Sequence, residues 1–216
     1  MEVEYKFYLK SKTYLKELLK SNFWDEFNSD PWTKHHFIAK YFDTEDLALS
    51  NNKFSLRIRK EDDKNILTVK TPKLGSENGA LSRREEWNFV WNQDKPNIRC
   101  LIGLLENELE EQYIDLLKSI EDQELFANMT TDVCRFKKNV FLSETQIEVV
   151  LDSGKLFGGK LSDDIKEIEL ELISGDESKL IELTDLLKQR FEFKDGSKSK
   201  MQRCFELLKK SRQLQN

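Results

Sequence analysis

The sequence predicts an α+β fold in which amphipathic helices cover the apolar face of a sheet of eight strands, and three observations carry that expectation. Runs of alternating apolar and charged residues recur along the chain, as in MEVEYKF, SLRIRK and KEIELELI. Between and after these runs lie segments with apolar residues at helical spacing, such as residues 13–27 and 99–120. Only three prolines and eight glycines interrupt 216 residues, and no repeat or low-complexity linker is present, so regular structure is dense.

MEVEYKF reads as a strand with Glu2, Glu4 and Lys6 on one face and Val3, Tyr5 and Phe7 on the other, because successive side chains of an extended chain point to opposite sides. Residues 13–27 place Leu15, Leu18, Leu19, Phe23 and Phe27 on one helical stripe. HFIAKYFD (36–43) is a strand, and an Asn-Asn turn follows. KFSLRIRK and NILTVKTP are two more strands, the second closed by Pro72, and LSRREEWNFVW (81–91) continues the series. In 99–120, Leu101, Leu104, Leu105, Leu109, Tyr113, Leu116 and Leu117 recur at helical spacing, in one helix or two. CRFKKNVFL, TQIEVVLD and KEIELELI supply the remaining strands, and residues 178–191 and 200–212 two closing helices.

The length suits one domain spanning residues 1–216. Charged residues make up 35% against about 25% in ordinary globular domains, while 14 Phe and 4 Trp still furnish a core. The net charge of −5 opposes general binding to nucleic acid, which needs a basic surface. Cys100, Cys134 and Cys204 are odd in number and widely spaced, without CxxC or CxxH, and the N-terminus carries no apolar leader-like run. These features predict a cytoplasmic protein with ordinary thiols and no membrane or nucleic-acid partner, as a monomer or homodimer.

The charged strand faces carry the functional signal. Arg57 and Arg59 share a face opposite Leu56 and Ile58, Lys70 lies opposite Val69, and Glu148 and Asp152 lie opposite Ile147, Val149 and Leu151. Glu167, Glu169 and Glu171 lie opposite Ile168, Leu170 and Leu172. With helices on the apolar faces, the charged faces point either to bulk water or into the lumen of a closed sheet. Carboxylates cluster on the first strand and the last two, with cations on the strands between, whereas a solvated surface mixes its signs. Paired carboxylates suit a hard divalent cation, and Arg with Lys suits phosphate oxygens, so a metal-bound polyphosphate matches both.

MEVEYK resembles the E-x-E-x-K signature that opens the CYTH superfamily, the triphosphate tunnel metalloenzymes. YFDT, SLRIRK, LTVKTP, LSRREE, VVLDSG, EIELEL and SKMQR then follow in the order of that family's strands and C-terminal Lys, from Glu2 to about Arg203. The resemblance implies an eight-stranded antiparallel closed tunnel with a charged lumen and helices outside. It implies hydrolysis of a triphosphate, inorganic triphosphate first, to phosphate and pyrophosphate with Mg²⁺ or Mn²⁺. The alternatives are a class IV-type adenylyl cyclase or a triphosphate-binding module without turnover, and thiamine triphosphate is a further substrate. Carried over by residue, the metal-side carboxylates are Glu2, Glu4, Asp152, Glu167 and Glu169. The phosphate-binding set is Lys6, Arg57, Arg59, Lys70, Arg83, Arg135 and Lys200, with Glu85 lining the tunnel, and Glu4, Glu169 and Lys6 are the catalytic candidates. Arg84 and Glu86 offer a rival phase to Arg83 and Glu85. Lys198 is a rival to Lys200, which the SKMQR context favours, and Lys137 and Lys138 are substitutes for, or additions to, Arg135.

Other features have ordinary readings. Glu148 and Glu171 fit strand-end salt bridges as well as lumenal roles. His35 and His36 diverge as neighbours and call for no zinc. Gly158 and Gly159 belong to a turn with no phosphate-loop pattern around it. LLENELEEQ is a solvated helix face, and Trp87 and Trp91 are packing residues.

Overall fold

In the computed structural model, which describes residues 1–61, 64–74 and 79–215, the chain begins with β1 (Glu2–Tyr8), α1 (Lys12–Leu19), a 3-10 turn (Asn22–Glu26), β2 (Asn28–Ser29) and β3 (Thr33–Asp43). It continues through α2 (Ala48–Asn51), β4 (Ser55–Glu61), β5 (Lys64–Lys70), β6 (Leu81–Arg84) and β7 (Glu86–Val90). Then come α3 (Ile98–Leu105), α4 (Glu111–Ser119) and the long strands β8 (Phe126–Leu142), β9 (Thr145–Gly158) and β10 (Leu161–Ser174). The last elements are α5 (Glu177–Arg190), β11 (Lys194–Asp195) and α6 (Lys200–Gln213).

Local chemistry sets several boundaries. The stretch 13–27, expected as one helix, divides: the Ser11 hydroxyl caps α1 by accepting from the Tyr14 N–H, and the Ser21 hydroxyl accepts from the Phe23 N–H and starts the 3-10 turn. That second start turns Phe23 and Trp24 into the core. Asp43 of YFDT is buried and accepts from the backbone N–H groups of Thr44, Leu49 and Ser50, so it orders the turn into α2. A capping box of Ser199 and Gln202 opens α6.

All the strand pairings are antiparallel, and the main order is β11-β1-β10-β9-β8-β3-β4-β5-β7. The ring closes through Leu81–Val90, where Glu85 bonds to Thr71 on both sides, its N–H donating to the Thr71 hydroxyl and its carbonyl accepting from the Thr71 N–H. That kink divides the segment, so β6 pairs with β1 while β7 pairs with β5. Among the described residues the ring therefore has nine strands rather than eight, with the eighth side supplied by two halves. The near-closure of the ring leaves little of the sheet's edge exposed among the described residues.

The apolar strand faces point outward to the helices. Phe7, Ile147, Val149, Leu151, Ile168 and Leu170 pack under α1 and α5, and Leu56, Ile58, Leu67 and Val69 under α3 and α4. A third apolar cluster lies inside. Met201, Cys204 and Leu208 of α6 pack on Phe37, Tyr41, Met129, Val133, Leu156 and Ile165, which share the inward face with Arg57, Arg135 and Asp152 by register. The helix thus closes one end of the tunnel. No described helix is long and apolar enough to cross a membrane.

Candidate functional site

The inward faces enclose a charged cavity of about 220 Å³, with Ser199, Lys200 and Met201 forming part of its wall. On one side stands an acidic trio. Asp152 and Glu167 are wholly buried and Glu169 nearly so, and one oxygen from each lies within 4.8 Å of the others. Register explains the grouping, because Asp152 of β9 pairs with Glu167 of β10, and Glu169 is the next inward residue along β10.

Four cations touch the trio. Lys200 Nζ lies 2.8 Å from Asp152 Oδ2 and 3.0 Å from Glu169 Oε1, and it pairs with Glu167 Oε1. Arg135 donates to both Asp152 oxygens at 2.8 and 2.6 Å. Lys6 pairs with Glu169 at 3.1 Å and with Glu4 at 3.4 Å. Arg203 reaches Glu167 Oε2 at 3.4 Å while donating to Asp163 Oδ2 at 2.7 Å.

Glu2 and Glu4 lie outside the trio. Glu2 accepts from Lys70 at 2.8 Å and Arg84 at 2.6 Å, and Arg84 also reaches Glu4 at 3.3 Å. Lys70 in addition pairs with Glu86. Arg57 and Arg59 complete the wall. Their Nε–H groups are buried and find no acceptor among the described residues, although Arg57 donates to Thr68 at 3.2 Å and Arg59 pairs with Glu61 at 2.6 Å. Buried donors without acceptors are costly and mark a place for an anion.

Crowding sets the proton affinities. Burial opposes charge on Lys200, but Asp152, Glu167 and Glu169 outweigh it and hold the ammonium well above its ordinary range. Burial likewise opposes the Glu169 carboxylate, which Lys200, Lys6 and Arg135 nevertheless hold far below the usual range. Burial raises Glu167 despite Lys200. Burial and the neighbouring charge of Arg57 lower Arg59 to about 10. Glu86 is pulled down to about 2, with burial outweighed by Lys70 and Arg57, whereas burial and the charge of Glu2 push Glu171 up to about 8.

The placement differs from the sequence expectation at Arg83 and Glu85, and the rival residues around Lys200 and Arg135 separate by face. Arg84 and Glu86 face the lumen, whereas Arg83 pairs outside with Glu177 of α5 and Glu85 sits at the kink. The reason is packing: Trp87 and Phe89 share their parity with Arg83 and Glu85 and face the helical core. Lys200 faces the trio, while Lys198 is exposed against Glu206. Arg135 is lumenal, Lys137 pairs with Glu148 at the rim, and Lys138 points outward over Trp24 and Trp32. Glu148, Glu171, Asn88, Ser55 and Tyr41 line the cavity without having been assigned to it. Glu148 and Glu171 share faces with Asp152 and Glu169, and that parity is the signal for them; Asn88, Ser55 and Tyr41 carry no charge and gave none.

The donor set fits a divalent cation. Carboxylate oxygens are the ligands Mg²⁺ and Mn²⁺ take, and Glu167 Oε1 is a buried oxygen that receives no hydrogen bond, only the ion-pair contact of Lys200.

The family model for the CYTH domain matches residues 1–205. The chain belongs to the CYTH domain family. A curated relative, the inorganic triphosphatase of Haemophilus influenzae, is 33% identical over 168 residues, which is 77% of this chain and 44% of the relative. This CYTH chain therefore spans less than half the length of that protein. Among solved structures, a Hippeastrum protein proposed as an adenylyl cyclase and described as having a dominant triphosphatase activity superposes with a TM-score of 0.61 at 22% identity, covering 97% of this chain and 96% of that one. A proposed adenylate cyclase from Bacillus halodurans gives a TM-score of 0.57 at 21% identity, covering 95% and 97%. Both share the CYTH tunnel fold seen here.

Proposed function

We propose that this chain hydrolyses a linear triphosphate, inorganic triphosphate foremost, to phosphate and pyrophosphate, with Mg²⁺ or Mn²⁺ as cofactor. The observation that carries the reading is that the buried Nε–H groups of Arg57 and Arg59, which find no acceptor among the described residues, line the same cavity as Glu169 of the Asp152, Glu167 and Glu169 trio. An anion binder without a metal gains nothing from that trio, and a metal site without an anion gains nothing from those guanidiniums. A triphosphate carries about four to five negative charges near neutral pH, and bound with its cation it answers both. The likeness to an inorganic triphosphatase points the same way.

In this reading Arg57, Arg59, Lys70, Arg84, Arg135 and Lys200 hold the phosphate oxygens and spread the charge that develops as the phosphoanhydride bond breaks. Asp152, Glu167 and Glu169 hold the metal, which when bound polarises a phosphoryl oxygen. Glu4, kept in place by Lys6 and Arg84, orients the attacking water and accepts its proton. The leaving pyrophosphate departs as an anion that the lumenal cations already neutralise. We read the chain as one CYTH unit working in the cytoplasm, its three thiols unpaired.

Purified protein supplied with inorganic triphosphate, ATP or thiamine triphosphate, each with Mg²⁺, Mn²⁺ or chelator, tests the reading. Phosphate and pyrophosphate from inorganic triphosphate, lost with chelator, are expected. Cyclic AMP with pyrophosphate from ATP, or no turnover of any triphosphate, overturns it.

A further inference from the structure

The ammonium of Lys200 stands where the metal belongs. It touches an oxygen of each member of the trio, at 2.8 Å from Asp152, at 3.0 Å from Glu169 and in a close ion pair with Glu167. Mg²⁺ binds carboxylate oxygens at about 2.0–2.1 Å. A cation drawing in the same oxygens leaves no room among them for a nitrogen at hydrogen-bonding distance, so the two occupants exclude one another.

Charge makes the same point. The three carboxylates are already met by Lys200, Arg135, Lys6 and Arg203, of which Lys6 also serves Glu4 and Arg203 also serves Asp163. A divalent ion entering beside all four overcharges a buried site, and uncompensated buried charge is expensive. Lys200 is the member free to leave. It is the first residue of α6, just after the Ser199 cap, and its flexible stem borders the cavity. Arg135 is held by both oxygens of Asp152, and Lys6 rises from the middle of β1.

We propose that Lys200 occupies the metal position in the free protein and yields it when the metal arrives with a triphosphate, whose oxygens then take the displaced ammonium. The step rests on the hydrolase reading for the identity of the anion, and it adds an order of events. Metal alone competes with an ammonium that already has three carboxylate partners, and so binds weakly; metal with triphosphate gives the ammonium a new partner. The two ligands are therefore positively coupled through Lys200.

Mn²⁺ binding read by electron paramagnetic resonance, without turnover, is the test. Lys200→Met should bind Mn²⁺ at least tenfold tighter than the unsubstituted protein when no triphosphate is present. It should also show a smaller gain in Mn²⁺ affinity on adding the non-hydrolysed imidotriphosphate. Lys198→Met, which removes only the exposed pair with Glu206, should change neither. In the unsubstituted protein, the ammonium resonance of Lys200 followed by nitrogen-15 spectroscopy should stay in place with Mg²⁺ alone and shift when imidotriphosphate is added, a readout that needs no variant. Unchanged or weaker Mn²⁺ binding by Lys200→Met, or an ammonium resonance that moves equally with Mg²⁺ alone, overturns the proposal. Tighter Mn²⁺ binding in a protein that hydrolyses no triphosphate keeps this role for Lys200 and removes the hydrolase reading; turnover with unchanged Mn²⁺ binding does the reverse.

Discussion

Two adjacent arginines on one strand do different work. Arg84 is buried and gathers Glu2 and Glu4 into the lumen, whereas Arg83 pairs with Glu177 at a half-exposed position on the outside. A charge-assisted hydrogen bond to a buried group is worth about 1.5–3 kcal/mol, and an exposed ion pair about 0–1 kcal/mol. Arg84→Gln should therefore raise the KM for triphosphate by roughly ten- to a hundredfold, from about 1.4 kcal/mol per factor of ten, while Arg83→Gln leaves KM within about fivefold by the exposed-pair figure. Steady-state kinetics on the two variants checks the phase of the strand. Equal effects mean that the guanidiniums are not sorted by face. The phase was legible in LSRREEWNFVW through Trp87 and Phe89, which cannot face a charged lumen and so place Arg83 and Glu85 on the outer side. The pairing of Lys200 with the trio was legible only as an order of motifs, since residues 152, 167 and 200 meet through tertiary structure.

At the scale of elements, α6 was predictable as a helix from its periodicity, but its position inside the tunnel end was not. The strands it touches explain why. Beyond the charged belt the inward face of β8 to β10 becomes apolar, with Met129, Val133, Leu156 and Ile165, while Asp132, Lys155 and Asp164 point outward. The alternation thus reverses its sense midway, and the strands run well past the lengths that KEIELELI or TQIEVVLD alone marked out. Gly158 records the close approach: a Cβ there meets the Cys204 carbonyl oxygen at 2.3 Å and the Leu208 nitrogen at 2.5 Å, both in the backbone of α6. Gly158→Ala should cost about 1–3 kcal/mol by overpacking and loosen the helix. Cys204 reports on this, because burial pushes its thiol up to about 12 and leaves it unreactive, whereas Cys100 is exposed. Alkylation followed by mass spectrometry should label Cys100 quickly in both proteins and Cys204 appreciably only in Gly158→Ala. Rapid labelling of Cys204 in the unsubstituted protein means that α6 does not hold the tunnel end closed.

Across the whole molecule, the charges brought together by ring closure make stability depend on pH and on ligand. Glu171 has its carboxyl raised to about 8 by burial and by Glu2. Between the ordinary carboxylate pKa near 4.5 and that value, the native protein holds a proton that the unfolded chain has lost. Stability therefore falls as pH rises through this window. Glu171→Gln removes the loss, so its melting temperature should match the unsubstituted protein at pH 4 and exceed it at pH 8.5. A variant that melts lower at pH 8.5 shows that the carboxylate is compensated in the native state. Ligand acts on the same imbalance from the other side, since the Nε–H groups of Arg57 and Arg59 have no acceptor among the described residues and an anion supplies one. A ligand at about 100 times its Kd adds about 2.7 kcal/mol when it binds only the native state. For a chain of this size that is a melting shift of roughly 5–10 °C, at about 2–4 °C per kcal/mol. Imidotriphosphate with Mg²⁺ or Mn²⁺ should produce such a shift, sulfate or monophosphate at equal concentration much less, and Arg59→Ala should reduce it. An open charged sheet responds instead to ionic strength, because exposed charges are screened over about 8 Å at physiological salt. A melting temperature that follows salt alone, indifferent to triphosphate and to Arg59, contradicts a closed anion site.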